Sequence, residues 1–335
     1  MGLYRALAKP LFFALPPEGA HSLAHRLLGL PLPWSRIGAA DHDPRLRVTL
    51  AGIELDNPVG LAAGFDKACA HLDALGRLGF GYVVGGTVTR APRRGHPKPR
   101  IARDPATRSM VNAMGLPNPG AGSAASALRR AERVAPRIVS LADEATEDAI
   151  AALTSLEPLV DWFELNASSP NAVWAHEGSH VAELLRELVP RTRKPIFVKL
   201  PWFETDVERE GVLAMATAAK EHGAAGLTCS NTRPVEDRRV ARGRGGLSGK
   251  PLFARTPEIV REVRRATEGS LPINACGGVF TASDALACIE AGATTVQVYT
   301  GLVYEGPRLV GAITSGLAAA LRDRGTALAE VVGGR

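Results

Sequence analysis

The chain is poor in cysteine and in aromatic residues, and these shortages exclude several classes of protein. Four cysteines (Cys69, Cys229, Cys276 and Cys288) are scattered with no CxxC pair, which argues against a disulfide framework and against a zinc site of familiar spacing. Aromatic residues make up only 5% of the chain, and no nucleic-acid module is recognisable. The basic run RRVARGRGG at 238–246 is therefore better explained as a solvated loop, and we expect no nucleic-acid partner.

Long hydrophobic runs are also missing. No apolar run reaches the length needed to cross a bilayer. Arg5 and Lys9 precede the apolar run LFFAL, but this run is too short for a secretory signal and Pro10 interrupts it. We therefore expect the protein to stay in the cytoplasm. The net charge of +6 is modest, and it would favour an acidic substrate or an anionic membrane surface.

The sequence does contain regularly spaced, strand-like runs separated by helical segments. Eight runs are rich in β-forming residues, at 57–64, 82–88, 137–142, 161–168, 195–200, 225–231, 272–279 and 294–301. Most are continuously apolar, as expected of parallel strands that are buried on both faces. Eight strand–helix units predict an α/β fold, a (β/α)8 TIM barrel. A doubly wound open sheet is the alternative, but no GxGxxG follows the first strand.

Polar residues and glycines collect at the predicted C-terminal ends of these strands. Examples are Lys67 after the first run, Asn166 after the fourth and Lys199 at the end of the fifth. Because barrels carry their chemistry at this end, the sequence predicts the site there. Gly277-Gly278 after the seventh run and Gly301 after the eighth lie where barrels commonly bind phosphate through backbone N–H groups.

Two further segments precede the barrel. RLRVTLAGIEL at 45–55 alternates and contains Ala-Gly, which predicts a hairpin that plugs the barrel bottom. Residues 3–30 contain two helical stretches, the second with apolar residues at helical spacing. This helix pair could simply pack on the barrel, or it could be an interfacial membrane-binding pair. The sequence alone leaves both interpretations open.

Nine motifs, in order along the chain, resemble those of dihydroorotate dehydrogenases, in particular the quinone-linked, membrane-associated class. They are NPVGLAAGFDK (57–67), GFGYVVGGTVT (79–89), GHPKPR (95–100), VNAMGLPNPG (111–120), NASSPN (166–171), SNT (230–232), GGLSGKPL (245–252), ACGGV (275–279) and VQVYTGLVYEGP (296–307). Together they are highly specific, although any one alone would not be.

The resemblance implies an enzyme of pyrimidine biosynthesis that oxidises (S)-dihydroorotate to orotate with flavin mononucleotide (FMN). A hydride would pass to the flavin, a proton to an enzyme base, and the electrons then to a membrane quinone. The implied organisation is a helical membrane and quinone-tunnel extension at 1–40 and an FMN-binding barrel at 45–325. Residues 1–30 would associate peripherally with the cytoplasmic face of the cell membrane, and the protein would be a monomer.

The resemblance also implies roles for individual residues. Ser169 matches the serine base; the soluble classes have cysteine there, so serine supports the quinone-linked class. A free serine is a poor base and needs a buried, oriented site. The matching substrate-binding positions are Lys67, Asn112, Ala113, Met114, Gly115, Leu116, Asn166, Asn171, Asn231 and Thr232. Amide side chains suit a pyrimidine edge, which alternates donors and acceptors, and a lysine suits an anionic substrate.

Cofactor and quinone positions follow from the same resemblance. The FMN-binding positions are Ala62, Ala63, Gly64, Thr87, Ser140, Asn166, Lys199, Ser230, Gly249, Gly278, Tyr299 and Thr300. Lys199 would stabilise the anion of reduced FMN. His21 and Arg100 match the quinone-tunnel pair, although a helix-surface histidine taken alone is usually just solvated.

Four positions depart from the family pattern. Ser140 replaces an asparagine, Leu116 a phenylalanine, Ser230 a threonine and Ala172 a threonine that helps to relay the proton. Water can substitute for a missing relay hydroxyl. These departures keep two alternatives open: a diverged FMN oxidoreductase acting on a related cyclic substrate, and a non-catalytic flavin-binding relative.

One competing motif shares the substrate loop. HEGSH at 176–180 has the form H-E-x-x-H, which binds zinc only when it lies on a helix. The apolar helical pattern begins only at Val181, with Ser179 as a plausible N-cap, and no third ligand is evident at familiar spacing. We therefore expect no metal site.

Overall fold

The computed structural model describes residues 4–142, 145–167 and 178–333. The strands of these segments are β1 (Val48–Leu50), β2 (Ile53–Leu55), β3 (Val59–Leu61), β4 (Tyr82–Val88), β5 (Ile101–Asp104), β6 (Ser109–Asn112), β7 (Arg137–Leu141), β8 (Trp162–Leu165), β9 (Ile196–Leu200), β10 (Gly226–Cys229), β11 (Arg233–Glu236), β12 (Arg244–Gly249), β13 (Ile273–Cys276) and β14 (Thr295–Val298).

The helices are α1 (Lys9–Ala14), α2 (Pro17–Leu28), α3 (Trp34–Gly38), α4 (Leu72–Arg77), α5 (Ala121–Arg130), α6 (Thr146–Leu156), α7 (Gly178–Leu188), α8 (Asp206–Glu221), α9 (Thr256–Ala266), α10 (Ala282–Glu290), α11 (Thr300–Glu305), α12 (Leu309–Arg324) and α13 (Leu328–Val331). A π-helical turn, Tyr4–Ala8, precedes α1. Some helix ends are set by local chemistry: Thr205 with Glu208 and Thr281 with Asp284 form capping boxes that start α8 and α10.

Eight strands close into a parallel barrel in the order β3-β4-β7-β8-β9-β10-β13-β14. They coincide with the eight predicted runs, and the (β/α)8 TIM barrel is confirmed. In β4, β7, β8, β9, β10 and β14 every residue is buried. Because helices cover the outside and side chains fill the inside, both faces of these strands avoid water, which explains their continuous apolar character.

The predicted hairpin is also present, as β1 paired antiparallel with β2. Its two-residue turn consists of Ala51 at φ 48° and Gly52 at φ 81°, and two positive φ angles are the requirement of a type I′ turn. Leu50 and Leu55 are buried in the main core. The hairpin directly precedes β3 and therefore lies on the N-terminal side of the barrel.

A four-stranded antiparallel sheet, β11-β12-β6-β5, lies outside the barrel and was not predicted from the sequence. Its two hairpins follow barrel strands β4 and β10, so both are inserted at the C-terminal end of the barrel. The basic run at 238–246 is a loop over residues 238–243, as predicted, but its last three residues, 244–246, belong to strand β12. The predicted N-cap was wrong: α7 begins at Gly178, so Ser179 lies inside the helix instead of capping it.

The predicted N-terminal helix pair is present as α1 and α2, and it contacts the barrel end that carries the inserted sheet. Arg103 of β5 donates hydrogen bonds to the carbonyls of Phe12 (3.1 Å) and Phe13 (3.4 Å) at the end of α1. Its guanidinium also stacks on the Phe13 ring, 4.5 Å from the ring centroid. In the described part of the chain, no helix combines the length and the hydropathy needed to span a membrane.

Candidate active site

A cavity of about 590 Å3 opens at the C-terminal ends of the barrel strands, beneath the inserted sheet. Its volume lies within the range of small-molecule sites, roughly 300–1,000 Å3. Its wall contains most of the predicted site residues: Ala62, Ala63, Gly64, Lys67, Thr87, Asn112, Met114, Gly115, Leu116, Asn166, Lys199, Ser230, Asn231, Thr232, Gly249, Gly278, Tyr299 and Thr300. Residues that are far apart in the sequence therefore share one wall.

Four other predicted residues are placed differently. Ala113 and Ser140 are buried and do not line the cavity. The predicted base Ser169 and the predicted substrate ligand Asn171 lie outside the described residues, as does Ala172. The described part of the site is therefore the cavity wall without the loop that follows β8.

Amide and hydroxyl side chains form a connected polar face on this wall. Asn166 donates from Nδ2 to Oγ1 of Thr87 at 3.1 Å, and Asn231 donates to Oδ1 of Asn166 at 3.4 Å. Ser140 stands directly behind them, with its hydroxyl 3.0 Å from that of Thr87. Ser140 thus supports Thr87 from within the wall. Ser140 therefore contributes to the wall through Thr87 and makes no contact with the cavity itself.

Lys67 supplies positive charge to another part of the cavity wall. Its ammonium donates a hydrogen bond to the carbonyl of Gly64. Burial, followed by the repulsion of Arg100, lowers the pKa of Lys67 to about 8. The group is therefore largely a cation at neutral pH and loses its charge only above that value, which suits it to bind an anionic substrate.

The glycines near β12 and β13 allow a close approach of backbone to a ligand. Gly278 has φ 71°, and a Cβ atom there would lie 2.6 Å from the Phe253 nitrogen and 2.8 Å from the Gly249 carbonyl oxygen. Gly249 itself has φ 102°. Neither position tolerates a side chain. Thr300 begins α11 beside them and donates from its hydroxyl to Ser248 at 2.9 Å. Free N–H groups at the start of a helix and nearby hydroxyls form a suitable cradle for a phosphate.

Several residues of the cavity wall, and one buried residue behind it, were not predicted from the sequence. Ser248, Cys276 and Gln297 line the cavity, and Glu164 lies behind Lys199 in the barrel, only 1% exposed. The available signal was a polar residue within an apolar strand, as in WFEL and TVQV. In a barrel, the side chain of such a residue points either into the barrel interior or outward against the helices. When both faces of a strand are apolar, the strand pattern does not show which of the two faces carries the polar residue.

The two predicted quinone-tunnel residues do not line the cavity: His21 lies on α2, and Arg100 forms hydrogen bonds with Glu18 of the same helix. The His21 ring of α2 packs edge-on against Phe65 with centroids 5.5 Å apart, and Phe65 packs against Tyr299 at 5.6 Å. Tyr299 belongs to the cavity wall. An unbroken row of rings therefore leads from α2 to the cavity. Burial, with smaller contributions from Lys67 and His25, lowers the pKa of His21 to about 3, so its imidazole is neutral at physiological pH.

The HEGSH motif does not assemble with other side chains into a metal centre where the structure describes it. Within residues 4–142, 145–167 and 178–333, no group of three or more His, Cys, Asp or Glu side chains is placed to hold a metal ion. His180 lies in α7, whereas His176 and Glu177 of the motif lie outside the described residues.

Comparisons with known proteins agree with this geometry. Residues 45–321 match the dihydroorotate dehydrogenase family. A dihydroorotate dehydrogenase (quinone) of Roseiflexus sp. (strain RS-1) is 38% identical over 98% of this chain and 97% of its own length. A protein of the same name from Thermus thermophilus is 40% identical over 88% of this chain and 90% of its own.

Two solved structures of dihydroorotate dehydrogenases are also similar to this chain. The crystal structure of DHODH from Eimeria tenella in complex with ferulenol superposes with a TM-score of 0.84 at 28% identity, covering 95% of each chain. The ligand-free form from the same organism gives a TM-score of 0.84 and covers 98% of that protein. The barrel, its polar cavity and the sequence match over nearly the whole length lead to one conclusion: the chain belongs to the dihydroorotate dehydrogenase family.

Proposed function

We propose that the protein oxidises (S)-dihydroorotate to orotate in pyrimidine biosynthesis, with FMN as the bound cofactor and a membrane quinone as the final electron acceptor. The observation that carries the proposal is the single cavity that combines four elements: a glycine cradle, two lysines, a row of amide side chains and a ring-lined connection to α2. Curated relatives named dihydroorotate dehydrogenase (quinone) support the choice of substrate and acceptor.

The residues present fit a flavin nucleotide. The cradle at Gly249 and Gly278 is too tight for any Cβ and suits a phosphate. Gln297 lines the cavity, and its buried Oε1 has no hydrogen-bond partner among the described residues, so it can accept from a ring N–H. Lys199 brings a cation to the same cavity. When bound, FMN supplies the two-electron oxidant; every other role falls to the chain.

Substrate binding is assigned to the amide face and to Lys67. Asn112, Asn166 and Asn231 present both donors and acceptors to the cavity, which matches the alternating edge of a pyrimidine ring. Asn171 would complete the set. Lys67, cationic below about pH 8, would balance the carboxylate of the substrate. Ser169 would accept the C5 proton as general base, with water taking over the relay that a hydroxyl at Ala172 would otherwise provide.

Quinone reduction is assigned to residues 1–40, with residues 45–325 as the catalytic barrel. Three of the five large hydrophobic residues that are most exposed in the described chain lie there: Leu11 at 63%, Leu30 at 48% and Leu32 at 40%. Leu11 lies on α1, and Leu30 and Leu32 follow the end of α2. Exposed apolar side chains at and next to a helix pair suit peripheral insertion into the cytoplasmic face of the cell membrane. We propose that the protein acts there as a monomer.

The decisive experiment is anaerobic reduction of the purified protein. FMN should be present in its absorption spectrum and should bleach on addition of dihydroorotate. A short-chain quinone should then restore the oxidised spectrum, whereas NAD⁺ should not. Bound FMN that does not bleach would favour the diverged oxidoreductase suggested by Leu116, Ser140 and Ala172, and it should then be reduced by another cyclic substrate.

Deletion of residues 1–30 tests the proposed role of the helix pair. The deletion should impair reoxidation of the flavin by quinone far more than its bleaching by dihydroorotate. Equal loss of both half-reactions would contradict the proposed role.

A further inference from the structure

The floor of the cavity continues into the barrel as a connected set of buried polar side chains. Its members come from six different barrel strands and are each at most 6% exposed: Tyr82, Glu164, Lys199, Thr228, Asn274, Thr295 and Gln297. Such a set is costly to bury unless its groups satisfy one another. Nothing in the proposed chemistry accounts for Glu164, the one carboxylate among them.

The hydrogen bonds of this set all point towards Glu164. Thr228 donates its single hydroxyl proton to Oε2 of Glu164 at 2.8 Å, so it must accept from Asn274 Nδ2, at 3.3 Å. Thr295 likewise donates to Asn274 Oδ1 at 2.7 Å, so at 2.8 Å it must accept from the Tyr82 hydroxyl. Donors aligned in one direction strengthen one another and favour a negative charge at the end of the chain.

Glu164 Oε2 receives a second hydrogen bond, from Gln297 Nε2 at 3.2 Å. The other oxygen, Oε1, faces Lys199 with its nearest approach to Nζ at 3.8 Å. That separation is an ion pair rather than a hydrogen bond, and Oε1 has no hydrogen-bond donor among the described residues. The carboxylate is thus held by neutral donors on one side and left open to a single cation on the other.

We propose that Glu164 is a positioning residue, whose carboxylate, fixed by this chain of donors, keeps the Lys199 ammonium charged and directed into the cavity where the flavin ring would bind. The inference deepens the proposed function and rests on it. In this arrangement the pair is neutral overall before reaction. The lysine can then balance negative charge that develops in the cavity without its own charge being lost to burial.

The titratable groups that face Lys199 support this assignment. Burial by itself lowers the pKa of Lys199, but the Glu164 carboxylate outweighs it, and the pKa lies above its ordinary value. Burial raises the pKa of the Cys276 thiol and of the Tyr82 hydroxyl, so both stay neutral. Glu164 is therefore the anion, among the described residues, that holds the lysine charged.

The first test addresses the ion pair without reference to cofactor or activity. Urea unfolding of the flavin-free full chain would be compared for Glu164→Gln, Lys199→Met and the double variant. Each single change strands a buried charge, so each should lower the unfolding midpoint, and the double variant should be more stable than the two losses predict together. Strictly additive losses would overturn the ion pair.

The second test addresses the cofactor, through the midpoint potential of bound flavin as a function of pH. In Glu164→Gln the lysine lacks its counter-ion. At low pH the extra positive charge should raise the potential above that of the wild type. At higher pH the lysine should lose its proton, and the potential should fall below the wild type and approach that of the double variant, in which neither charge is present. A curve that crosses the wild-type curve cannot arise from a merely loosened fold.

Thr228 offers a matched pair of controls, because it touches Glu164 but is not part of the cavity wall. Thr228→Ser keeps the donating hydroxyl and should follow the wild-type potential at each pH. Thr228→Val removes it at nearly equal volume and should shift the curve in the same sense as Glu164→Gln, but less.

If Glu164→Gln follows the wild type at every pH with flavin bound, the positioning role is overturned. If the purified protein binds no flavin, the proposed function fails, whereas non-additivity in the unfolding cycle would still establish the pair.

Discussion

The guanidinium of Arg100 donates two hydrogen bonds to the carboxylate of Glu18, from Nε to Oε1 at 3.3 Å and from Nη2 to Oε2 at 3.3 Å. The backbone nitrogen of Arg100 donates a third bond to Oε1 at 3.0 Å. The pair fastens α2, which carries His21, to the segment that leads into β5. Glu18 therefore anchors the proposed quinone entrance on one side of α2, and His25, whose Nε2 lies 2.9 Å from the Phe65 carbonyl oxygen, anchors it on another.

Replacing Glu18 by Gln should weaken quinone reduction selectively. The loss of a bidentate ion pair should let α2 move and raise the KM for a short-chain quinone about tenfold, roughly 1.4 kcal/mol. Anaerobic bleaching by saturating dihydroorotate should be unchanged at a pH well below the pKa of Lys67, on which Glu18 also acts. Lys98→Ala is the matched control: Lys98 also pairs with Glu18, at 3.1 Å, but its side chain is 70% exposed, and such pairs contribute little. An equal effect of both variants would contradict the assignment.

The same carboxylate should leave a signature in the acid stability of the protein. Burial alone raises the pKa of Glu18, but hydrogen bonds from Arg100 and Lys98 outweigh it, and the pKa lies below its ordinary value. The resulting stabilisation is complete above the unfolded-state pKa of about 4.3 and is lost as the pH falls through the lower folded-state pKa. The difference in urea midpoint between wild type and Glu18→Gln should therefore shrink on acidification. A gap that widens instead would show that the carboxyl is not held as an anion.

Lys67 should make orotate binding depend on pH. Because its pKa is lowered to about 8, the affinity for the anionic product should fall by up to about tenfold per pH unit above that value. The dissociation constant can be read from the change in the flavin spectrum between about pH 7 and about pH 9. Lys67→Met should bind orotate weakly at all pH values and lose this dependence. If the dependence persists in the variant, another group is responsible.

Gly278→Ala should abolish tight cofactor binding. Its φ of 71° and the backbone atoms that would lie 2.6 and 2.8 Å from an added Cβ leave no room for a methyl group, so the cradle must deform and lose FMN during gel filtration. Gly122→Ala is the matched control, since no atom lies within 4 Å of its Cβ position on α5. That change should retain FMN and stabilise the protein by about 0.5–1 kcal/mol. Stoichiometric FMN in Gly278→Ala would disprove the cradle.

Ser169→Ala should slow the reduction of bound FMN by dihydroorotate about 10²- to 10⁴-fold, the range expected for loss of a general base. The flavin should remain bound, because the serine is assigned to the substrate and not to the cofactor. Ser168→Ala, next to it in the chain, should change the rate little. Stopped-flow absorbance under anaerobic conditions measures both; loss of FMN from Ser169→Ala would mean that the serine is structural.

Much of the fold followed from local patterns. Each apolar run of the barrel specifies a strand with two buried faces, and the glycine-containing hairpin at 45–55 specifies its own turn. The inserted sheet escaped prediction because its strands are not continuous apolar runs: β5 and β12 contain charged residues or glycines, and β11 alternates partly buried and exposed residues. The pairing of β12 with β6 joins segments that are distant in the sequence, and no local pattern encodes such a contact.

The sequence by itself determined the barrel, the family and the chemical inventory of the cavity, because these depend on residue type and on order along the chain. Only the tertiary structure decided how that inventory is arranged. It placed Ser140 behind Thr87 instead of in the cavity, and it joined Glu164 to Gln297 across 133 positions. Closure of the barrel brings side chains of opposite strands within hydrogen-bonding distance, and that distance, rather than residue type, determines which lysine has a counter-ion.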